Sequence, residues 1–433
     1  MPLRHIDIDT PQPNGHLGEP TRSANIKHNA NITETEARLV ALEDGATGAG
    51  EQLETEIAAR KAADAALGAR IDAEHSLITQ EAADRSVAVQ AEAAARGNAD
   101  TALSARILNK NRIINGNFDI YQRGNPGTIT NTAAYTADRW ICSSAGVGAT
   151  SNWGLGATTP GEIPDSRMFL GFNVVAGVSS AWVGQWIESV HSFAGGKATV
   201  SFWMRSGVAG KKVGLLIQQH FGSGGSSMVQ VVAPEVIVLT TTFTKYSVTF
   251  DVPSIVGKTV GSGGNALLLT FFYADDRPSL FGGQLVGQTG LFELAQVQME
   301  KGDKATDFEW RPVGHELQLC QRYYCKSYAL PTKAGTPNSD SGRIATGLQI
   351  SGTNSPSFSA YALRFPVGMR TSPAVTVYGA VSGNPNKVTM SDNADSSGVP
   401  TVRGLSEGGC EINWVNNAGT FGGWFHFTAD AEI

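Results

Sequence analysis

The first 117 residues contain no Phe, Tyr or Trp, and no proline lies between Pro20 and Pro126, whereas everything after Phe118 is rich in aromatics, glycine and β-branched runs. A chain without large core-forming side chains cannot build a globule by itself. The front part therefore either stays unfolded or assembles with copies of itself, and apolar spacing points to assembly. From Leu53 a seam runs through Ile57, Arg60, Asp64, Leu67, Ile71, His75, Ile78, Ala82, Arg85, Val89, Ala93, Arg96, Asp100, Leu103 and Ile107, repeating every 18 residues. The block Ala58–Ile71 returns as Ala94–Ile107 with ten of fourteen positions identical. Eighteen residues is one heptad plus one eleven-residue repeat, so the supercoil nearly cancels and the bundle runs straight. At about 1.5 Å per residue, Thr33–Ile107 spans roughly 110 Å.

β-branched residues at the seam favour three strands over two, so the expectation is a parallel homotrimer. His75 would form one axial layer of three imidazoles. Arg60, Asp64, Arg96 and Asp100 would form interchain ion-pair layers that set register at some cost in stability. Glu56–Arg60 and Glu92–Arg96 carry the acid N-terminal at i,i+4, the better orientation for helix support. A single amphipathic helix lying on its own head fits less well, because the seam is narrow and often polar.

The net charge of −6 is entirely frontal: residues 1–110 hold 17 acidic and 11 basic side chains, and the rest balances. No Lys/Arg run exists, which argues against nucleic acid. No stretch approaches a membrane span and Met1–Ile32 has no apolar run, so neither membrane insertion nor a signal peptide is expected. Cys142, Cys320, Cys325 and Cys410 include no CxxC pair, and reduced, buried thiols fit synthesis in a cytoplasm.

Along the chain, Met1–Ile32 is polar and loop-like, with three prolines between Pro11 and Pro20. The helical stalk (33–108) is weakened at Asp44–Gly50 by three glycines, at roughly 1 kcal/mol each. Beyond Asn109, with Gly116 as a turn residue, strand-like runs occupy Ala198–Arg205, Val213–His220, Met228–Leu239, Thr244–Val252, Ala266–Ala274 and Leu291–Glu300. In one of them Tyr246, Val248 and Phe250 alternate with Ser247, Thr249 and Asp251. Short strands without interleaved helices indicate an antiparallel sandwich (109–328), closed by a helical patch at Gly314–Ser327. A second β module (329–433) has strands near Arg343–Ile350, Ser357–Phe365, Ala374–Tyr378, Cys410–Asn416 and Phe421–Phe427. The fold class is thus mainly β: a trimeric α-helical coiled-coil stalk followed by two antiparallel, jelly-roll-like β-sandwich domains.

At Asn111–Gly124 (NRIINGNFDIYQRG), Ala137–Trp140 (ADRW), Val200–Ser206 (VSFWMRS), Val297–Lys301 (VQMEK) and Leu317–Ser327 (LQLCQRYYCKS), the chain resembles a β-sandwich module of bacteriophage tail-fibre proteins. Phe365–Pro373 (FPVGMRTSP) and Phe427–Ile433 (FTADAEI) resemble the terminal domain that commonly follows it. The resemblance covers about Asn109–Ile433 and implies a homotrimeric virion fibre, made in the host bacterial cytoplasm. It would attach through 1–32 to a baseplate or tail protein and meet host surface polysaccharide with its C-terminal end. The sandwich is similar to carbohydrate-binding modules of the jelly-roll kind.

No nucleophile elbow, metal-binding His pair or phosphate loop is present, so no cofactor, metal or catalytic residue is expected. Asp275–Asp276 and Glu300 with Asp303 are carboxylate pairs by sequence proximity alone. Trp140 suits the core with Asp138 holding a turn. Trp182 and Trp186 share a face under either strand or helix spacing, and a core or intersubunit role fits them better than a sugar platform. The glycan site is expected at the tip, where Trp414 and Trp424 bracket the turn 416–423. Tyr361, Asp392, Asn393, Asp395 and His426 would supply further stacking and polar contacts. Two other readings remain: a tailspike depolymerase cleaving surface polysaccharide, and a purely structural linker fibre.

Overall fold

The computed structural model describes residues 21–43, 50–106, 110–175, 177–346, 358–417, 419–420 and 422–433. The chain divides into a front unit ending at Leu103 and a second unit, the head, spanning Ser104–Ile433. The front unit contains α1 (Thr21–Glu43) and α2 (Gly50–Arg106). Helix α1 begins inside the segment that composition reads as a loop, and the break between the helices falls at the glycine-rich stretch. A Cβ placed on Gly68 of α2 would lie 3.9 Å from His28 Nε2 of α1. The two residues sit at similar distances from the break, so the helices fold back on one another. The half-buried positions of α2 include Ile57, Arg60, Asp64, Leu67 and Ile71, the seam positions read from sequence. From His75 to Arg96 every side chain is exposed, with Ile78 at 40% and Val89 at 66%. Leu53 and Leu103, as side chains, and Ile107 fall outside the described residues. Arg60 pairs with Glu56 at 2.7 Å and Arg96 with Glu92, so both arginines are engaged within their own helix. Among the described residues no helix is long and apolar enough to cross a membrane.

The head opens by zipping its first residues along a central strand. Arg112 N–H donates to Met299 O at 2.9 Å, Asn111 Oδ1 accepts from Met299 N–H at 3.0 Å, and Val297 N–H donates to Gly116 O at 2.9 Å. Gly116 is required by this close approach, because a Cβ there would sit 2.1 Å from Val297 O. The strands that follow are β1 (Gly127–Thr130), β2 (Thr132–Tyr135), β3 (Trp140–Ala145), β4 (Thr150–Ala157), β5 (Met168–Val174), β6 (Ser180–Glu188), β7 (Lys197–Ser206), β8 (Lys212–His220), β9 (Val229–Val232), β10 (Ile237–Val238), β11 (Thr244–Asp251), β12 (Ala266–Asp275) and β13 (Gly290–Lys301). They form two antiparallel sheets. One has the order β1-β4-β5-β13-β7-β11. The other has the order β10-β8-β12-β6-β3-β2, with β9 also on β8.

The inward residues of both sheets make one apolar core. Phe202 meets Phe271 edge-on at 5.0 Å, and Tyr273 stacks on Phe292 at 4.6 Å. Tyr246, Val248 and Phe250 pack inward as their alternation predicts. Trp140 is fully buried against Phe118 at 4.9 Å and donates from Nε1 to Asn115 O at 2.9 Å. Asp138 is buried and accepts from the Gln122 backbone N–H at 2.7 Å, holding the turn expected of it.

Helix α3 (Val313–Gln321) is followed by β14 (Tyr324–Lys326), β15 (Ile344–Ala345), β16 (Phe358–Arg364), β17 (Ala374–Gly379), β18 (Thr401–Ser406), β19 (Gly409–Val415) and β20 (Trp424–Asp430). Strand β20 pairs with β14, β15 and β17, while β16-β19-β18 forms a second sheet. Phe425, Phe427, Ile412, Trp414 and Leu363 fill the space between them. Because β14 pairs with β20, this module starts earlier than the composition change at residue 329 suggests. Residues 347–350, Ser357 and Phe421, expected as strand, fall outside the described residues.

The two modules of the head are joined through buried polar contacts. The Arg139 side chain is 1% exposed, stacks 3.4 Å from the Tyr323 ring, donates to Trp186 O and pairs with Glu432. Arg123 stacks 3.7 Å from the Tyr324 ring and reaches Asp430 at 3.0 Å. Lys326 Nζ donates to Gln122 O and to Leu330 O at 2.8 Å. Gly116→Ala should destabilise the head by about 1–3 kcal/mol, since the backbone of β13 must shift to admit the methyl. Gly314→Ala, in open space at the start of α3, should cost nothing. Denaturant melts of the two variants check the contrast.

Candidate functional site

Strand parity decides the fate of the expected tip site. On β19, Cys410, Ile412 and Trp414 face the core; Trp414 is 2% exposed, meets Phe425 edge-on at 5.7 Å and donates from Nε1 to Asn416 Oδ1 at 3.0 Å. On β20 the core side is taken by Phe425 and Phe427, so Trp424 and His426 point to the opposite face. Trp414 and Trp424 therefore do not share a surface. Tyr361 packs edge-on against Phe425 at 5.9 Å. Asp392 and Asn393 sit on an exposed turn, where Asp392 Oδ1 caps the Ala394 N–H at 3.0 Å. Trp424 is half-buried with the Arg343 guanidinium 5.3 Å above its ring.

His426 is fully buried and has structural partners on every side. Its ring stacks 3.7 Å from Tyr328, Nδ1 lies 2.9 Å from Ser327 Oγ and Nε2 lies 2.8 Å from Ser339 O. A neutral ring satisfies both, with Nε2–H donating to the carbonyl and Nδ1 accepting from the hydroxyl. Burial lowers its pKa below 6.5, outweighing the Ser339 carbonyl that favours charge; Arg343 pushes the same way as burial, and Asp340 opposes it. The unfolded chain then binds more protons than the folded one, so this contribution is full above about pH 6.5 and fades as pH falls through the folded value. The melting temperature of the head should drop between pH 7.5 and pH 5, and drop less in His426→Gln, as calorimetry would show.

A different surface combines aromatic rings with open polar groups. It is the outer face of the sheet containing β8, β12, β6 and β3. On β6, Ala181, Val183 and Ile187 face inward, leaving Trp182, Gly184 and Trp186 outward. The pairing register builds rows across this face: Phe272 beside Trp182 and Ser143, then Leu216, Thr270, Gly184 and Ile141, then Gln218, Leu268 and Trp186. Gly184 makes a dip between the two indoles. A Cβ there would meet Leu269 O at 2.6 Å and Thr270 Cγ2 at 2.9 Å, so no larger residue fits.

One end of the face is covered by an apolar plug of Phe281, Leu285 and Leu280 on Leu216 and Phe272, and Trp182 packs against the same cluster with its ring 6.3 Å from Phe272. The remainder is a groove of ≈ 460 Å³ lined by Ser179, Ser180, Trp182, Gln218, Thr270 and the 275–277 turn, among others. At its rim Arg277 Nε donates to the buried Asp275 at 2.7 Å, and the guanidinium lies 5.6 Å from the Phe272 ring. Beyond the dip, Trp186 meets His220 edge-on at 4.7 Å, and His220 Nε2 lies 3.2 Å from Gln218 Oε1. Burial lowers the His220 pKa, which favours the uncharged imidazole beside Trp186.

One carboxylate of each pair that sequence proximity suggests is engaged by its neighbours, while Asp276 of the first pair lines the groove. Asp275 is bridged by Arg277 through both oxygens. Glu300 is 3% exposed and accepts from Thr306 N–H at 2.9 Å and Thr306 Oγ at 2.6 Å. All four cysteines are buried free thiols, and burial pushes Cys142 and Cys325 up to about 12.

Comparison with protein-family models gives no match, and comparison with curated proteins gives none either. Among solved structures the chain is similar to the enzymatically active domain of bacteriophage CBA120 tailspike protein 4, at 16% identity over 45% of this chain, with a TM-score of 0.28. It spans 22% of that tailspike chain. It is also similar to a CBM4 module, at 15% identity over 43% of this chain and 98% of that one, with a TM-score of 0.28. A family 11 carbohydrate-binding module from Clostridium thermocellum, in complex with a β-1,3-1,4-mixed-linked tetrasaccharide, gives 12% identity, 42% and 99% coverage and a TM-score of 0.27. Likenesses this distant carry nothing about ligand or activity, so the groove rests on its own geometry.

Proposed function

We propose that this chain is a non-catalytic, glycan-binding tail-fibre protein of a bacteriophage, and that the groove on the outer face of the seven-stranded sheet holds the polysaccharide. The observation that carries the reading is a groove in which the half-buried Trp182 indole meets hydroxyl and amide groups, with the half-buried Trp186 on the same sheet face beyond a glycine dip. Sugar rings offer apolar faces to indoles and hydroxyls to such polar groups. Strand rise sets Trp182 and Trp186 roughly 13 Å apart along β6, a spacing suited to an oligosaccharide rather than a single ring. With Asp275 held by Arg277 and Glu300 held by Thr306, Asp276 lines the groove without a second free carboxylate from these pairs beside it, which supports binding without cleavage.

Trp182→Ala should weaken binding to host surface polysaccharide by about 1–3 kcal/mol, by analogy with base stacking on aromatics. Trp414→Ala should act on stability instead, at about 3–5 kcal/mol. Affinity electrophoresis with melts on both variants separates the two effects, and retained affinity in a folded Trp182→Ala protein sinks the groove. Release of reducing ends from the same polysaccharide would overturn the non-catalytic part.

The remainder of the reading concerns assembly. A helix exposed on all sides from His75 to Arg96, carrying Leu77, Ile78, Val87 and Val89 into water, is marginal unless it meets other chains. Three parallel copies joined along the α2 seam supply that partner, and Met1–Ile32 docks on the tail baseplate. Light scattering of the full chain should give three times the 45.6 kDa monomer mass, and a monomer would refute the assembly.

A further inference from the structure

The charges around the groove are unevenly spent. Asp275, 1% exposed at the end of β12, lies opposite Ser180 of β6. Arg277 takes both of its oxygens, through Nε at 2.7 Å and Nη2 at 3.2 Å, and the Arg277 backbone N–H adds a third bond at 3.2 Å. The pair is neutral as a unit, and it uses only two of the five N–H donors that a guanidinium carries. The rest of that edge belongs to a side chain 54% exposed, 5.6 Å from the Phe272 ring, and stays available to a ligand as a donor.

Other charged groups on this side of the sheet are also held. Beyond the dip, Arg322 pairs with Glu188 at 3.1 Å. Lys212 of β8 gives its Nζ to Gln284 of the plug segment at 3.0 Å. Asp276 differs. It lines the groove beside Ser179, Ser180 and Thr270, it is exposed, and its backbone is fixed by an N–H bond to Ser179 O at 2.9 Å. Its neighbour Arg277 is committed to Asp275, so among the described residues lining the groove no cation offsets the Asp276 carboxylate. The groove thus carries one uncompensated charge, and that charge is negative. A carboxylate at this place accepts charge-assisted hydrogen bonds from the hydroxyls of a sugar stacked on the indole. A carboxylate or phosphate on the ligand would instead meet it as a like charge. Selection of this kind works by rejecting the wrong ligand as much as by holding the right one.

We propose that the groove takes an uncharged polysaccharide, whose hydroxyls are read by Asp276 and the open edge of Arg277, and that Asp276 turns acidic glycans away. The inference rests on the groove reading above. The test applies the full-length protein to an array of neutral and acidic bacterial surface polysaccharides, alongside Trp182→Ala and Asp276→Lys, with melts to check that both variants fold. Binding should be confined to uncharged members, weaken in Trp182→Ala, and hold its strength when salt is raised to about 0.5 M, because no net charge on the ligand is there to be screened. Asp276→Lys, a change at an exposed side chain, should shift the ratio of acidic to uncharged binding by about ten-fold or more toward the acidic members. Acidic members bound by the wild type through Trp182, or a ratio that Asp276→Lys leaves unchanged, overturn the inference and leave the groove standing. Binding that persists undiminished in folded Trp182→Ala, or no binding to any member, overturns the groove and the inference with it.

Discussion

The head depends on a guanidinium that has almost no water. Arg139 is held between the Tyr323 ring, the Glu432 carboxylate and the Trp186 carbonyl, which belong to the start of the second module, its last residues and the middle of the first sandwich. A buried ion pair adds little net stability compared with an apolar replacement, but removing one partner strands the other at about 3–5 kcal/mol. The effect is specificity of docking: in the observed orientation Arg139, Arg123 and Lys326 each reach a partner across the junction.

That arrangement has a bearing on the groove. Strand β6 offers Trp182 and Trp186 outward, and through the Trp186 carbonyl and the Glu188–Arg322 pair at 3.1 Å it is tied to the module junction. The indoles therefore stand on a strand fixed at its end by charge and along its length by the apolar core. Pre-set rings lose little freedom on binding, which favours affinity from a shallow site.

Much of the architecture was legible because alternation in strands such as Thr244–Asp251 is strict, and the aromatic-free front announced helix. The seam was legible too, yet its partner was not: in a single chain α1 approaches α2 at Gly68, next to seam residue Leu67, a contact that periodicity cannot distinguish from a neighbouring copy. The tip site failed on parity. Trp414 alternates with Glu411 and Asn413 in register with Ile412, which already placed it inward. The run Trp424-Phe425-His426-Phe427 is aromatic on both faces, so only its pairing partners assign the sides. Trp182 and Trp186 were ambiguous for the opposite reason. Their spacing fits a buried stripe as well as an open one, and how far the Phe281–Leu285 plug covers Trp182 is a loop packing that pattern does not encode.

The zipped entry of the chain gives the head a mechanical character. Residues 111–116 are hydrogen-bonded along β13, a central strand of one sheet, whereas the groove lies on the outer face of the other. Under the proposed binding, tension between Lys110 and the groove crosses the aromatic core between the sheets. Both ends of that path rest on interior strands, so many contacts yield together before the head gives way.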